Sequence, residues 1–416
     1  MAATAQESVH ISGLESTQAP RAKNSRRGSR GFQNSQRGAG DYKRIERRRP
    51  LHSRALNSSA PTHLESHANT KFAARLAGIN QEHFSNLTKQ ILARAYPREC
   101  PACQVPMTAA VARRESVVRC RACHRQASRT AGTPLHHFKL PLWVFGYLLS
   151  EAMTTFPQMI PAAQIRRRLG VSKSTSLLLK RRLQLFLTDL IPIIKERMAN
   201  ELRTEFCGLV LPEKGDVSEI VANKPVVHMD TLALFSATQR ANGGRSRHRH
   251  SGQTASIYLT EKVAEERGKF QIGTLVHTIA IKKGPVILDS VPGLTQKTIQ
   301  PLFSFLPKQT PTFTDAGYPW LFRYNRNHRA VNHSARAKDK KRNVWARNRW
   351  SRGGVHNQVA EGTQRIVKAS FLAAYGYFNP KYSQLYLNEY SALKSIRVYG
   401  LESLLKTPIV LIVDPK

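Results

Sequence analysis

The sequence predicts a chain of several domains: a basic tail, a four-cysteine module, a helical region and a mixed α/β domain. Three observations carry this. Two C-x-x-C pairs stand close together, the hydrophobic period changes from helical to alternating past residue 220, and two strand-like runs each deliver an aspartate ahead of a helical glutamate.

Residues 1–70 are rich in Arg, Ser, Gly, Asn and Gln and poor in large apolar side chains, so they cannot bury enough surface to offset the entropy of ordering. They read as a disordered basic tail. Next come Cys100-Pro-Ala-Cys103 and Cys120-Arg-Ala-Cys123, with sixteen residues between the pairs. Two tight turns at this spacing can wrap four sulfurs around one tetrahedral Zn²⁺. A redox role needs only one such pair, and a disulfide framework suits a secreted chain better. Arg121 and Arg125, with Arg113, Arg114, Arg119 and Arg129, give this zinc ribbon (residues 71–135) a positive face suited to DNA. Cys207 stands alone and reads as a small buried hydrophobe.

Residues 136–200 read as helical. Leu142 to Leu149 form an apolar helix, and Ala162 to Leu169 a short one. Gly170 supplies the turn, Ser172 the N-cap, and Lys173, Ser174 and Thr175 open a polar face. This is the layout of a helix-turn-helix DNA-binding region, although two packed helices around a glycine also occur in bundles that bind nothing. The amphipathic stretch from Leu177 to Leu190 leads into Ile191-Pro192, read here as the end of the module.

Strand patterns follow at Val226–Asp230, Leu232–Ser236, Thr274–Ile281, Pro285–Asp289 and Pro311–Asp315, with a helix expected over Thr298–Leu306. The stretch from Val355 to Lys368 reads as a helix that sets Glu361, Arg365 and Lys368 on one face. Asp230, Asp315 and Glu361 make an oxygen-only donor set suited to Mg²⁺ or Mn²⁺. Two such ions can clamp the attacking and leaving oxygens of a phosphodiester. An acid on the first strand, one ending a later strand and one on a following helix is the order found in ribonuclease H-like folds. Residues 221–392 are therefore expected to form an α/β ribonuclease H-like catalytic domain, with 393–416 as a C-terminal extension. Asp289 is a rival ligand, since it too is read as closing a strand.

The order and spacing of several motifs resemble the insertion-sequence transposases of the ISXO type. The likeness covers about residues 97 to 390. It rests on the two cysteine pairs with Ser128-Arg-Thr-Ala-Gly-Thr133, on Met229-Asp-Thr231, Thr314-Asp-Ala-Gly-Tyr318 and Val331-Asn-His-Ser334, and on Val355-His356 through Glu361-Gly362 to Lys368. It rests also on Tyr386-Leu-Asn-Glu-Tyr390. The resemblance implies a DDE transposase with Asp230, Asp315 and Glu361 as the metal-binding triad and Lys368 as a DNA contact. It implies metal-dependent cleavage and strand transfer of a mobile element. Leu232 stands where the family often has Glu, Gln364 where an aromatic is common, and the Arg and Asn expected after Tyr390 are missing.

Composition fits a polyanionic partner. The 416 residues hold 65 Lys and Arg against 27 Asp and Glu, a formal charge of +38. Double-stranded DNA, both element ends and target, is the expected partner, bound by a homo-oligomer. The loop carrying Arg245, Arg247 and Arg249 and the run Lys338–Arg349 would add phosphate contacts. No apolar run approaches the ~20 residues a membrane span needs, and no secretory signal is seen at the N-terminus, so an intracellular protein is expected. Two other readings share much of this pattern: a DNA-binding regulator with a dead catalytic domain, and a ribonuclease H-like nuclease without strand transfer.

Overall fold

A computed structural model describes residues 76, 78–235, 273–331, 351–375, 382–406 and 409. The tail, the loop with Arg245, Arg247 and Arg249, the stretch Asn332–Ser334 and the run Lys338–Arg349 lie outside these residues. All described elements belong to one compact unit.

The first is helix α1, Gln81–Ala95, within the stretch expected to be ribbon. Asn80 caps it by accepting from the His83 N–H at 2.9 Å. Its apolar face, Ile91, Leu92 and Ala95, is buried, as helical spacing requires of an amphipathic segment. Three short antiparallel strands follow, β1 (Ala109–Ala110), β2 (Val117–Arg119) and β3 (Gln126–Ser128). Helix α2, Trp143–Thr155, then packs on α1 so closely that a Cβ at Gly146 would stand 2.3 Å from the Phe84 carbonyl oxygen. Thr88 donates across the contact to the Leu142 carbonyl at 2.8 Å.

Helix α3, Ala162–Leu169, ends at Gly170 with φ of +63°, the left-handed conformation glycine adopts without a steric penalty. Ser172 caps α4, Lys173–Asp189, accepting from the Thr175 N–H at 3.1 Å. The module does not end at Pro192. A further helix, α5 (Ile191–Glu205), begins there, because proline in a first helical turn lacks only an N–H that has no intrahelical partner.

The sheet is built from β4 (Val227–Phe235), β5 (Gly273–Ile281), β6 (Val286–Val291), β7 (Thr312–Asp315) and β8 (His328–Val331). Its spatial order is β6-β5-β4-β7-β8. β4, β5 and β6 form an antiparallel meander, β7 runs parallel to β4, and β8 parallel to β7. Cys207, expected to be buried, is exposed, and in the sheet region three more expectations change. The two runs expected at Val226–Asp230 and from Leu232 on are one strand, β4, whose pairing with β5 continues through Asp230 and Thr231 without a break. β6 runs on to Val291, so Asp289 lies inside it. The helix expected at Thr298–Leu306 is a single α turn, α6 (Gln296–Ile299), passing into a 3-10 turn at Gln300–Phe303, where Pro301 has no N–H to continue an α pattern.

A hairpin of β9 (Ser351–Arg352) and β10 (Val355–His356) leads into α7, Gln358–Tyr375, which packs against β4 and β5. The last helices are α8, Ser383–Tyr399, and α9, Leu401–Leu404. α8 closes the open edge of β6. Ser391 accepts from the Leu288 N–H at 3.0 Å, while Gln384 accepts from the Ser290 N–H at 2.7 Å and donates to the Leu288 carbonyl at 3.1 Å. Side chains thus take up backbone groups that would otherwise invite edge pairing. One hydrophobic core runs from α1–α5 through the sheet to α8 and α9, including Leu393, Ile396, Leu401 and Leu404 beyond position 392.

Within that core a charged pair ties α4 to α8. Lys180 donates to Glu389, whose side chain is fully buried, and Gln184 (3.0 Å) and Tyr375 at the end of α7 (3.3 Å) donate to its other oxygen. An ion pair this dry persists only when its remaining lone pairs are satisfied. Glu389 belongs to the Tyr386–Tyr390 motif, so that motif acts here as a junction between helices.

Candidate functional sites: a thiolate cluster and an acidic cluster

Each cysteine pair folds into the same turn. In the first, the Gln104 N–H donates to the Cys100 carbonyl (2.8 Å) and the Cys100 N–H to Val105 (2.9 Å). In the second, His124 donates to Cys120 (3.1 Å) and Cys120 to Arg125 (2.9 Å). Gln104 and His124, each just after the second cysteine of its pair, take positive φ, 54° and 60°. These matching turns converge the sulfurs: the ligand atoms of Cys100, Cys103, Cys120 and Cys123 all lie within 4.8 Å of one another, close enough to hold a metal ion. Four thiolates in this arrangement suit structural Zn²⁺. Hydrogen bonds from the Cys103 and Ala102 backbone hold the Cys100 thiol down at about 6. A hydrogen bond shared with Cys123, reinforced by burial, pushes Cys103 up to about 12. Arg121 and Arg125 are exposed beside the second turn.

The acids come from distant elements. In the parallel pairing of β4 with β7, His228 faces Phe313 and Met229 faces Thr314, so the next step brings Asp230 beside Asp315. Neighbouring strands are ~4.8 Å apart, which makes the two carboxyls immediate neighbours. Asp230 accepts from the Thr231 N–H at 2.7 Å. Asp315 accepts from the Gly317 N–H at 2.9 Å, and a Cβ at Gly317 would come within 2.9 Å of the same carboxylate oxygen. Glu361 lies in the first turn of α7, where the helix dipole favours a carboxylate. Burial pushes Asp230 up to about 7, with the charges of Asp315 and Glu361 adding to the rise and the Thr231 N–H opposing it. Asp230 therefore senses both of the other acids. Among the described residues only the four thiols come close enough together to hold a metal ion; the three carboxylates do not meet that closeness.

Asp289 is not part of it. It pairs with His277, which pairs with Thr231, and successive strand residues face opposite sides of a sheet, so Asp289 lies on the face away from Asp230. Its nearest cation is Lys195 on α5, at 3.9 Å.

Buried imidazoles lie on both sides of these strands, His228 on the face of Asp230 and His277 and His328 on the opposite one. His228 donates from Nδ1 to the His356 carbonyl at 3.0 Å, and the two rings stack at 4.9 Å. Thr314 spends its hydroxyl proton on the Asp315 carbonyl (2.7 Å), so His328 Nε2, 2.8 Å away, must donate to it. Tyr318 bridges the Thr231 hydroxyl (2.7 Å) and His277 Nδ1 (3.3 Å). Burial holds His228, His277 and His328 down at about 3.

The sequence reading named the acids but missed the amides around them. Gln364, one turn beyond Glu361, is buried, and its amide nitrogen interacts with the Asp230 carboxylate without closing a full hydrogen bond. The i, i+3 spacing from Glu361 was the available signal. Asn357, just ahead of α7, is wholly buried with both amide atoms unpartnered. Arg365 and Lys368 are exposed on α7, and Lys173 is exposed at the first position of α4.

Among the described residues no helix is long and apolar enough to cross a membrane. No family model, no curated protein and no solved structure matches this chain.

Proposed function

We propose that the chain is a DDE-type DNA transposase that cleaves and joins DNA with Mg²⁺ or Mn²⁺. The observation that carries this is the parallel register of β4 and β7, which sets Asp230 beside Asp315 with Glu361 of α7 close enough to raise the Asp230 carboxyl further. The support extends to the sheet order, an antiparallel meander followed by two parallel strands, which is the arrangement expected of ribonuclease H-like domains. Three mutually repelling carboxylates are an unstable grouping unless a cation neutralises them, and an all-oxygen set favours a hard divalent ion. When bound there, such an ion supplies charge that activates water or a 3′ hydroxyl and stabilises the leaving oxygen. The chain's own part is to hold the carboxylates. Thr231 and Gly317 pin Asp230 and Asp315 through their N–H groups, and α7 delivers Glu361.

DNA would be engaged by the exposed cations. Arg121 and Arg125 on the ribbon and Lys173 on α4 serve end recognition, and Lys368 on α7 contacts DNA near the acids. Arg245, Arg247 and Arg249 would add contacts from outside the described residues.

The test is cleavage and strand transfer in Mg²⁺, on DNA carrying the repeats that flank the coding region. Asp230→Asn, Asp315→Asn and Glu361→Gln should each abolish both steps while end binding, measured in parallel, persists. Asp289→Asn should keep activity, because that side chain is on the other face of the sheet. Full activity of Glu361→Gln would remove the third ligand from the assignment.

A further inference from the structure

We infer that Gln364 is a positioning residue for the acidic cluster: its buried side-chain amide holds the Asp230 carboxylate in its cation-binding orientation. This rests on the proposed metal-binding role of the acids.

Three observations converge on it. Gln364 follows Glu361 by three residues on α7, so both side chains emerge on the helix face that packs on β4 and β5. Its side chain is 7% exposed, yet its amide nitrogen has no hydrogen-bond partner. A buried unpaired donor costs about 1–3 kcal/mol, and such groups persist in folded proteins chiefly where a missing ligand or a functional demand accounts for them. The third observation is its neighbour. The amide interacts with the Asp230 carboxylate, one oxygen of which already accepts from the Thr231 N–H.

The logic is that of a ligand held from behind. Without a cation the buried amide nitrogen stays unpaired. A cation held by the acids would draw the Asp230 carboxylate into line with the Gln364 N–H, which would then complete a charge-assisted hydrogen bond. Thr231 and Gln364 then grip the same carboxylate from two elements, β4 and α7. Glu361 and Gln364 share one helix, so a single rigid body sets both the third acid and the orientation of the first.

A positioning role and a structural role make opposite predictions for stability. Replacing Gln364 by an apolar side chain of similar length removes an unpaired buried donor, which leaves the cation-free fold unharmed or slightly firmer. The experiment is Mn²⁺ binding to the full, zinc-loaded chain, followed by electron paramagnetic resonance of the free ion, with Asp230→Asn as the blank. Melting temperatures are taken without Mn²⁺. Gln364→Met and Gln364→Leu should melt at or above the wild-type temperature and bind Mn²⁺ about 10- to 100-fold more weakly, the usual loss when a group supporting a metal ligand is removed. Wild-type affinity in either apolar variant overturns the inference, as does a lowered melting temperature in both, which would make Gln364 a structural residue. If the wild-type chain binds no more Mn²⁺ than Asp230→Asn, the metal reading of the acids itself falls.

Discussion

The thiolate cluster takes its four ligands from residues 100–123, whereas the acidic cluster draws Asp230, Asp315 and Glu361 from two strands and a helix far apart in the chain. In the first, every ligand sits on one of two short turns with matching hydrogen bonds, and the sulfurs close to within 4.8 Å. In the second, the neighbours of each acid exist only because a crossover returns the chain to lay β7 alongside β4. The difference teaches where metal and fold depend on each other. A closed cage built on a small three-stranded ribbon is part of what folds the ribbon. An open cluster mounted on a completed sheet is a strain that the sheet carries.

The largest effect should come from breaking the cage. Structural zinc contributes roughly 10–16 kcal/mol to small zinc-binding folds. Cys100→Ser should therefore drop zinc content from one per chain to near zero and unfold residues 98–130, leaving the sheet and helices with their own melting transition. Metal analysis with calorimetry checks both parts. Retention of a full complement of zinc by Cys100→Ser would make the two sites far less different than their geometry suggests.

A buried pair of opposite charges supplies the reference for what burial does when charge is compensated. Lys180→Ala leaves Glu389 buried without its cation and should cost ~3–5 kcal/mol in urea unfolding. The double change Lys180→Met with Glu389→Leu should recover most of that, because an apolar pair of similar volume avoids the desolvation.

The acids should behave the other way. The folded state holds Asp230 up at about 7 against an ordinary 3.8, so it binds a proton that the unfolded chain has released. Its contribution to stability is present below the ordinary value and is lost as pH rises through the interval from 3.8 to about 7. At pH 8 without divalent cations, Asp230→Asn should be more stable than wild type by up to roughly 4 kcal/mol, since each tenfold change in proton affinity is worth ~1.4 kcal/mol. The gain should vanish near pH 4, and added Mg²⁺ should narrow it by stabilising the wild type alone. Losing a ligand would thus destabilise one site and stabilise the other.

Much of this architecture was legible in the residues. The cysteine spacing foretold the cage, because a C-x-x-C turn is a local structure whose hydrogen bonds lie within six residues. Gly170 and Ser172 foretold the turn and cap of α3 and α4 for the same reason. Strand-like runs ending in Asp230 and Asp315, and a helical period through Glu361, marked the acids. What local pattern could not decide was continuity. Thr231 divides two apolar runs on paper, yet β4 passes through it, since its hydroxyl is taken up by Tyr318 from a distant turn. Ile191-Pro192 reads equally well as the end of one helix or the start of the next.

By itself the sequence determined which side chains each cluster is made from, the four thiols and the three carboxylates, together with the strongly basic charge of the chain. Tertiary structure alone decided which acids meet. Asp230 and Asp289 both stand in strands of one sheet, and only the register of its strands puts Asp315 beside the first and turns the second to the opposite face. It also decided that Gln364 is buried beside a carboxylate and that Lys180 finds Glu389 across the core. The physical reason is range. Turns, caps and side-chain charge are set by neighbours a few residues away, whereas the desolvation that raises Asp230 and dries the Lys180–Glu389 pair comes from elements that meet only when the whole core closes.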